Sequence, residues 1–372
     1  MASVGEVAAY LDRLYDASLA ESWDNVGLIA GDRAETVGGV VVCLDLSAGV
    51  LERCCAGEMA VCYHPPIFRP ASRVVAGGTA GLVWGAIRRG VSLYSPHTAA
   101  DASAGGTGDC MAGLLGLRGV RAGGGTVGES GRVKLVVFCP AESTEKVREA
   151  CCGAGAGVIG EYRSCAFRSR GRGSFEGSER SQPAVGESGR LEFVEEDRLE
   201  LLVDRSGLGG VLEAMRGVHP YEEPAYDVYP LLAGRPGAMR VGELERRVGL
   251  GAFAEQVEAA WSGAGVRARI SVAGERGQLV GKVAVVPGAG GGLVDAVLAS
   301  EAEVLVTGEL SHHDARRLVA GGRAAVCVGH GPSEVPFLGV LRSRLLEGFG
   351  DLPVRVDAVD SDPFGAQSAG RV

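Results

Sequence analysis

Apolar residues along the first 120 positions follow two alternating rhythms. Between residues 5 and 17, Val7, Ala8, Leu11 and Leu14 fall on one face at helical spacing. Residues 40–46 (Val-Val-Val-Cys-Leu-Asp-Leu) read as a fully apolar strand, the pattern of a strand covered on both sides. A helix over 47–57 leads to a strand at 59–63, and a second helix at about 79–89 leads to a strand at 91–95. Covered strands separated by helices predict a sheet rich in parallel pairs. In such sheets, functional groups gather where the strands end at their carboxyl side.

From about residue 131 the texture changes. A strand to Pro140 and a helix over 143–152 precede a Gly/Ser/Arg-rich stretch at 153–189. Two strands (190–196 and 199–205), a helix (208–217) and a strand (226–231) follow, and Gly234, Pro236 and Gly237 punctuate the end. This order suggests a small ferredoxin-like α+β module. The α/β alternation then resumes. Helices are expected at about 251–263, 292–300, 312–320 and 334–347, with strands at 267–272, 282–286, 303–307 and 324–328. The simplest architecture is one α/β body built from both ends of the chain, 1–130 with 235–372, interrupted by an inserted domain at 131–234.

Composition changes this picture little. At 372 residues, with 22% charged and 46% hydrophobic positions, the chain reads as an ordinary soluble globular protein. A net charge of −9 gives no broad basic footprint for nucleic acid. The local exception at 163–172 (Arg163, Arg168, Arg170, Arg172) reads as a solvated loop or as an anion or partner contact. Ten cysteines include no Cys-x-x-Cys, and several lie inside apolar runs. With no signal peptide or membrane span in view, a cytoplasmic location, with a nuclear fraction, is the expectation.

The candidate chemistry lies in the histidines, of which there are six. His64 stands before Pro65–Pro66, which forces the chain out of the sheet at that point. His97 follows Pro96, with Asp101 four residues on; His330 precedes Glu334 at the same spacing. Imidazoles and carboxylates at equivalent strand ends are what a Zn, Fe or Mn centre needs, with one or two ions per chain. His97 serves equally as a ligand or as a residue that orients one. Two bridged ions would supply hydroxide near neutral pH, with Glu309 or His313 to shuttle protons. His313 is preferred to His312, because neighbours on a helix point apart. Ser333 is suited to cap a helix starting at Glu334. Gly288-Ala-Gly-Gly-Gly-Leu reads as a tight turn or a phosphate cradle, though it lacks the Lys-Ser/Thr of a P-loop. Asp24 and Asn25 line the cleft or simply make a turn.

These motifs together resemble the GTP cyclohydrolase 1 type 2 homolog family, also called the NGG-interacting-factor-3-like family. The resemblance is carried by Ser22-Trp-Asp-Asn-Val-Gly-Leu, Tyr63-His-Pro-Pro-Ile-Phe, Pro96-His-Thr-Ala-Ala-Asp, Thr307-Gly-Glu-Leu-Ser-His-His-Asp-Ala, and Gly329-His330 with Glu334. The block from Gly157-Val-Ile-Gly-Glu-Tyr to His219-Pro-Tyr-Glu-Glu-Pro-Ala-Tyr-Asp resembles the family's PII/CutA-like inserted module. His219 belongs to that signature and reads as structural or as an inter-subunit contact. The resemblance implies a dinuclear divalent-metal centre on His64, Asp101, His330 and Glu334, and a ring-shaped homohexamer. It also implies a metal-dependent hydrolase acting on a nucleotide-like or small cyclic or amide substrate. The alternative is a metal-binding or ligand-sensing oligomer that partners transcription factors. Direct nucleic-acid binding and a membrane role are not expected. One departure stands out: many members have a histidine where this chain has Tyr63, a form similar to the eukaryotic-type branch.

Overall fold

Val40, Val41, Val42 and Cys43 have no accessible surface, so the strand Gly39–Cys43 must lie inside a sheet with both faces covered. In the computed structural model, which describes residues 2–77, 80–181 and 184–357, it pairs in parallel with Glu58–Cys62 and with Val354–Asp357. The full sheet has five strands in the order Gly27–Ala30, Ser92–Ser95, Glu58–Cys62, Gly39–Cys43, Val354–Asp357. All pairs are parallel except the first, which is antiparallel. One face packs on Ala48–Arg53 and Gly81–Arg89. The other face packs on the N-terminal helix Val4–Leu14, which Ser3 and Glu6 start with a reciprocal capping box. Each fully buried Val or Leu here contributes about 1.5–3 kcal/mol.

A second, six-stranded sheet has the order Ser271–Ala273, Ala324–Cys327, Val304–Glu309, Leu279–Ala289, Met239–Gly249, Arg118–Gly123. Its three central strands are parallel and the flanking pairs antiparallel. The helix Leu250–Gly263 covers one face through Phe253, Val257 and Trp261. Both sheets belong to one compact unit, 1–126 with 235–372, and 127–234 forms another.

The helix His330–Gly348 serves both sheets. Its Phe337, Leu338, Leu341 and Leu345 enter the core of the five-stranded sheet. Pro336 lies inside this helix and has no N–H to offer the Pro332 carbonyl one turn back. The Trp261 indole N–H donates to that carbonyl instead, at 2.7 Å. A buried acceptor left over by the helix is thus satisfied from the core of the six-stranded sheet. The helix begins at His330 rather than at Glu334. Ser333 is not its cap: the Ser333 hydroxyl donates to the His330 carbonyl at 2.6 Å and accepts the Gly288 N–H at 2.9 Å.

In 127–234 the elements run strand, Thr144–Gly153 helix, two strands, Leu208–Val218 helix, strand. The four-stranded sheet is ordered Ala166–Glu176, Leu191–Asp204, Thr126–Pro140, Tyr226–Arg235. Two expectations fail here. The Gly/Ser/Arg-rich stretch contains the strand Ala166–Glu176, paired antiparallel from Ala166↔Leu201 to Glu176↔Leu191. The two strands expected at 190–205 are one, because the polar break at Asp197 is satisfied in place. Its buried carboxylate accepts from Thr144 at 2.6 Å and pairs with Arg168. Arg168, Arg170 and Arg172 are therefore in a strand and not a loop, while Arg163 precedes it: Arg170 also approaches Asp197, at 3.8 Å, and Arg172 lies over the Phe193 ring. His219 bridges backbone inside this unit, facing the Phe138 carbonyl at 3.0 Å and accepting the Tyr221 N–H at 3.1 Å. Among the described residues no helix is long and apolar enough to cross a membrane.

Candidate metal centre

Both sheets present the carboxyl ends of their parallel strands to one site. His64 follows Glu58–Cys62, His97 follows Ser92–Ser95, and His330 follows Ala324–Cys327. The His64 Nε2 lies 3.3 Å from Glu334 Oε2, and the His330 Nε2 lies 3.3 Å from Glu334 Oε1. These three side chains offer ligand atoms within 4.8 Å of one another. Glu334 has a side chain only 4% exposed, and its Oε2 is buried without a hydrogen-bond partner. A buried carboxylate whose two oxygens each face an imidazole Nε2 suits a cation. The residues present fit a divalent ion, and the ligand set would be His64, His330 and Glu334.

The far side of each ring is also held. His64 Nδ1 is 2.9 Å from Asp45, His330 Nδ1 is 3.1 Å from Glu309, and His97 Nδ1 is 2.8 Å from Asp24. A carboxylate on Nδ1 fixes the ring's orientation and leaves Nε2 for a metal or a proton. Replacing such a partner typically weakens metal affinity about 10–100-fold. We expect Asp45→Asn to show a loss in that range by competition with a metallochromic chelator, with the fold unchanged by circular dichroism.

The backbone here accepts strain. His97 has φ +25°, a region most non-glycine residues avoid. Asp24 holds the turn by accepting the Thr98 N–H at 3.1 Å as well as the Thr98 hydroxyl. Gly288, at φ +59°, abuts the centre: a Cβ there would come within 2.6 Å of Glu334 Oε1 and 3.3 Å of His330 Nε2. The Gly288 turn is therefore small because the site is close, and its first N–H is already taken by Ser333.

Electrostatics follow from the same contacts. Burial pushes the His64 imidazole down, but Asp45 and Glu334 outweigh it and lift its pKa to about 10. Glu334 and then Glu309 raise His330 to about 9 against burial. Burial favours a neutral Glu334, yet the two imidazoles hold its pKa below the usual carboxylate value. The metal-free centre at neutral pH is thus one carboxylate between two imidazoliums. An ion entering it displaces up to two protons, so affinity rises with pH until the imidazoles have titrated, near pH 9–10. Titration calorimetry in buffers of different ionisation heat checks this: proton release independent of pH between 6 and 10 would contradict it.

The other expected residues fall as follows. Asp101 is buried on the helix His97–Ala102 and accepts the phenolic O–H of Tyr63; burial lifts its pKa to about 6. Glu309 sits against His330. His313, at the start of the helix His312–Ala320, is exposed and packs edge-on against His312, outside the three-residue cluster. Asp45 and Asp24 were missed as ring-holding residues. For Asp45 the signal is an acid inside an otherwise apolar run; for Asp24 the local sequence indicates only a cleft-lining or turn residue. Trp23 and Phe68, both about half exposed, stand 5.5 Å apart, centroid to centroid, beside the His97 ring.

The family model Duf34/NIF3 (NGG1p interacting factor 3) matches residues 2–363. The chain is 36% identical over 368 residues to a Mycobacterium tuberculosis protein named "GTP cyclohydrolase 1 type 2 homolog", covering 97% of this chain and 96% of that one. A Halalkalibacterium halodurans protein of the same name is 35% identical over 366 residues, covering 96% and 97%. Among solved structures, a Bacillus cereus protein related to NIF3 superposes with a TM-score of 0.69 at 31% identity, covering 97% of this chain and 98% of its own. A Staphylococcus aureus protein at 24% identity, covering 97% and 98%, gives a TM-score of 0.74, which supports the fold alone. The chain belongs to the Duf34/NIF3 (NGG1p interacting factor 3) family.

Proposed function

We propose that this protein is a divalent-metal-dependent hydrolase acting on a nucleotide-like or other small cyclic or amide substrate. One observation carries the reading: two imidazole Nε2 atoms converge on the two oxygens of one buried carboxylate. A bound ion would act as a Lewis acid and bring a nucleophile to neutral pH. The chain's own residues do the rest. Asp45 and Glu309 orient the ligand rings. His97, fixed by Asp24 at Nδ1, keeps Nε2 for proton transfer. Trp23 and Phe68 offer exposed aromatic faces on which a planar ring can stack. The name shared by the Mycobacterium tuberculosis and Halalkalibacterium halodurans relatives points the same way, as a cyclohydrolase opens a ring.

The test is metal analysis of purified wild-type protein and His330→Ala, followed by a screen of nucleotides and cyclic amides for metal-dependent turnover. Metal in the wild type, its loss in the variant and turnover of at least one ring substrate are expected. Equal metal content in both proteins would end the reading.

A second reading concerns 127–234. Its element order, strand, helix, two strands, helix, strand, supports reading it as a ferredoxin-like, PII/CutA-like module. A cavity of about 470 Å³, lined by Phe175, Arg180, Glu196, Tyr221 and Glu223 among others, gives it room for a small ligand. On this reading the module senses a ligand, and the full chain is stabilised against heat by it with no turnover.

A further inference from the structure

The family resemblance implies two ions, but the side chains that converge here supply donors for one. Among the described residues, one group of three His, Cys, Asp or Glu side chains brings its ligand atoms together: His64, His330 and Glu334. The neighbouring carboxylates are engaged elsewhere. Asp45 and Glu309 hold the Nδ1 sides of the two ligand rings, and Asp24 holds His97. Asp101 remains, and it is tied to Tyr63.

The Tyr63 side chain has no accessible surface. Its ring packs edge-on against Phe337, His97 and His64, with centroids 6.0, 5.6 and 5.2 Å away. Its O–H donates to Asp101 Oδ1 and accepts from the Thr107 hydroxyl at 3.3 Å. Both hydrogen-bonding capacities of the phenol are therefore spent on Asp101 and Thr107. A phenol that donates its hydrogen to a carboxylate is not an anionic ligand, whereas a histidine at this place would present a nitrogen lone pair. Burial on all sides leaves the ring no room to turn away and free the carboxylate.

We propose that each chain holds a single divalent ion, on His64, His330 and Glu334, and that the hydrogen-bonded Tyr63–Asp101 pair occupies the place of a second. This inference rests on the metal-site reading above and narrows it.

The experiment uses Mn(II) as the probe. Full-length protein is loaded with Mn(II) and desalted. Bound manganese is then counted by mass spectrometry, and the same sample is examined by electron paramagnetic resonance. One ion per wild-type chain is expected, with the hyperfine-resolved spectrum of an isolated ion. Asp101→Asn keeps that count, and Tyr63→His gains a second ion with a spin-coupled spectrum. Two ions on the wild type, or loss of the ion in Asp101→Asn, overturns the one-ion inference and leaves the metal-site reading standing. Undiminished manganese in His330→Ala, or none on the loaded wild type, overturns the metal-site reading itself. The wild-type count and spectrum decide the matter even if Tyr63→His fails to fold.

Discussion

Glu334→Gln is expected to reduce metal affinity by about 100-fold or more. Outer partners of ligand rings alone are worth about 10–100-fold, and Glu334 is the one anionic member of the three-residue group. The same change should destabilise the metal-free protein in a pH-dependent way. Both imidazoles have folded pKa values raised above the unfolded value near 6.5, to about 10 and about 9. Their attraction to Glu334 therefore adds stability that is complete at about pH 6.5 and is lost as pH rises through 9–10. Removing one member of a fully buried charge pair typically costs about 3–5 kcal/mol, and solvent screening at His330, 38% exposed, and His64, 23% exposed, lowers the cost here. The variant should show a loss somewhat below that figure near pH 6.5, and little well above pH 10, where the rings are neutral in both proteins. Urea unfolding at the two pH values, with chelator present, measures it. Equal losses at both would mean that the carboxylate acts by packing rather than charge.

Trp261→Ala should remove a large fraction of the fold's stability. Trp261 is fully buried in the core of the six-stranded sheet, and truncating such a side chain costs about 3–5 kcal/mol. The change also strands the Pro332 carbonyl, which Pro336 cannot serve, for about a further 1–3 kcal/mol. Against a typical total of about 5–15 kcal/mol, the sum leaves a marginal protein. Trp261→Phe separates the two contributions, because it keeps most of the volume and loses only the N–H. Pro332 lies two residues from His330, so we also expect both variants to bind metal more weakly at temperatures where they remain folded. An unaltered unfolding midpoint in Trp261→Phe would show that water satisfies the carbonyl as well as the indole does.

Much of this architecture was legible without coordinates, for identifiable reasons. The run at 40–46 contains too many apolar residues for a half-exposed strand, so a sheet covered on both sides followed directly. His64 could be placed at a strand end because Pro65 and Pro66 cannot continue the sheet. The pairs His97/Asp101 and His330/Glu334 could be noticed because helical spacing brings i and i+4 to one face. Other elements gave no such signal. The strand Ala166–Glu176 alternates Arg, Ser and Gly, and it becomes a strand only because Leu191–Asp204 supplies Asp197 and Phe193 opposite its arginines. The strands Met239–Gly249 and Val354–Asp357 were not anticipated, and neither was the helix Thr107–Leu114. Short elements of mixed polarity take their state from the neighbours they meet.

The sequence by itself determined the alternation of covered strands and helices, the interruption in its middle, and the set of histidines and acids set at strand ends. Local pattern suffices for these, because periodicity and proline stiffness act over a few residues. Only the tertiary structure decided which of those side chains meet. It set Glu334 between His64 and His330, gave Asp45, Glu309 and Asp24 to the far sides of three rings, tied Asp101 to Tyr63, and left His313 outside the three-residue cluster. A site assembled from segments some 270 residues apart (64 and 334) depends on how two sheets pack around one helix, and packing at a distance leaves no periodic trace in the chain.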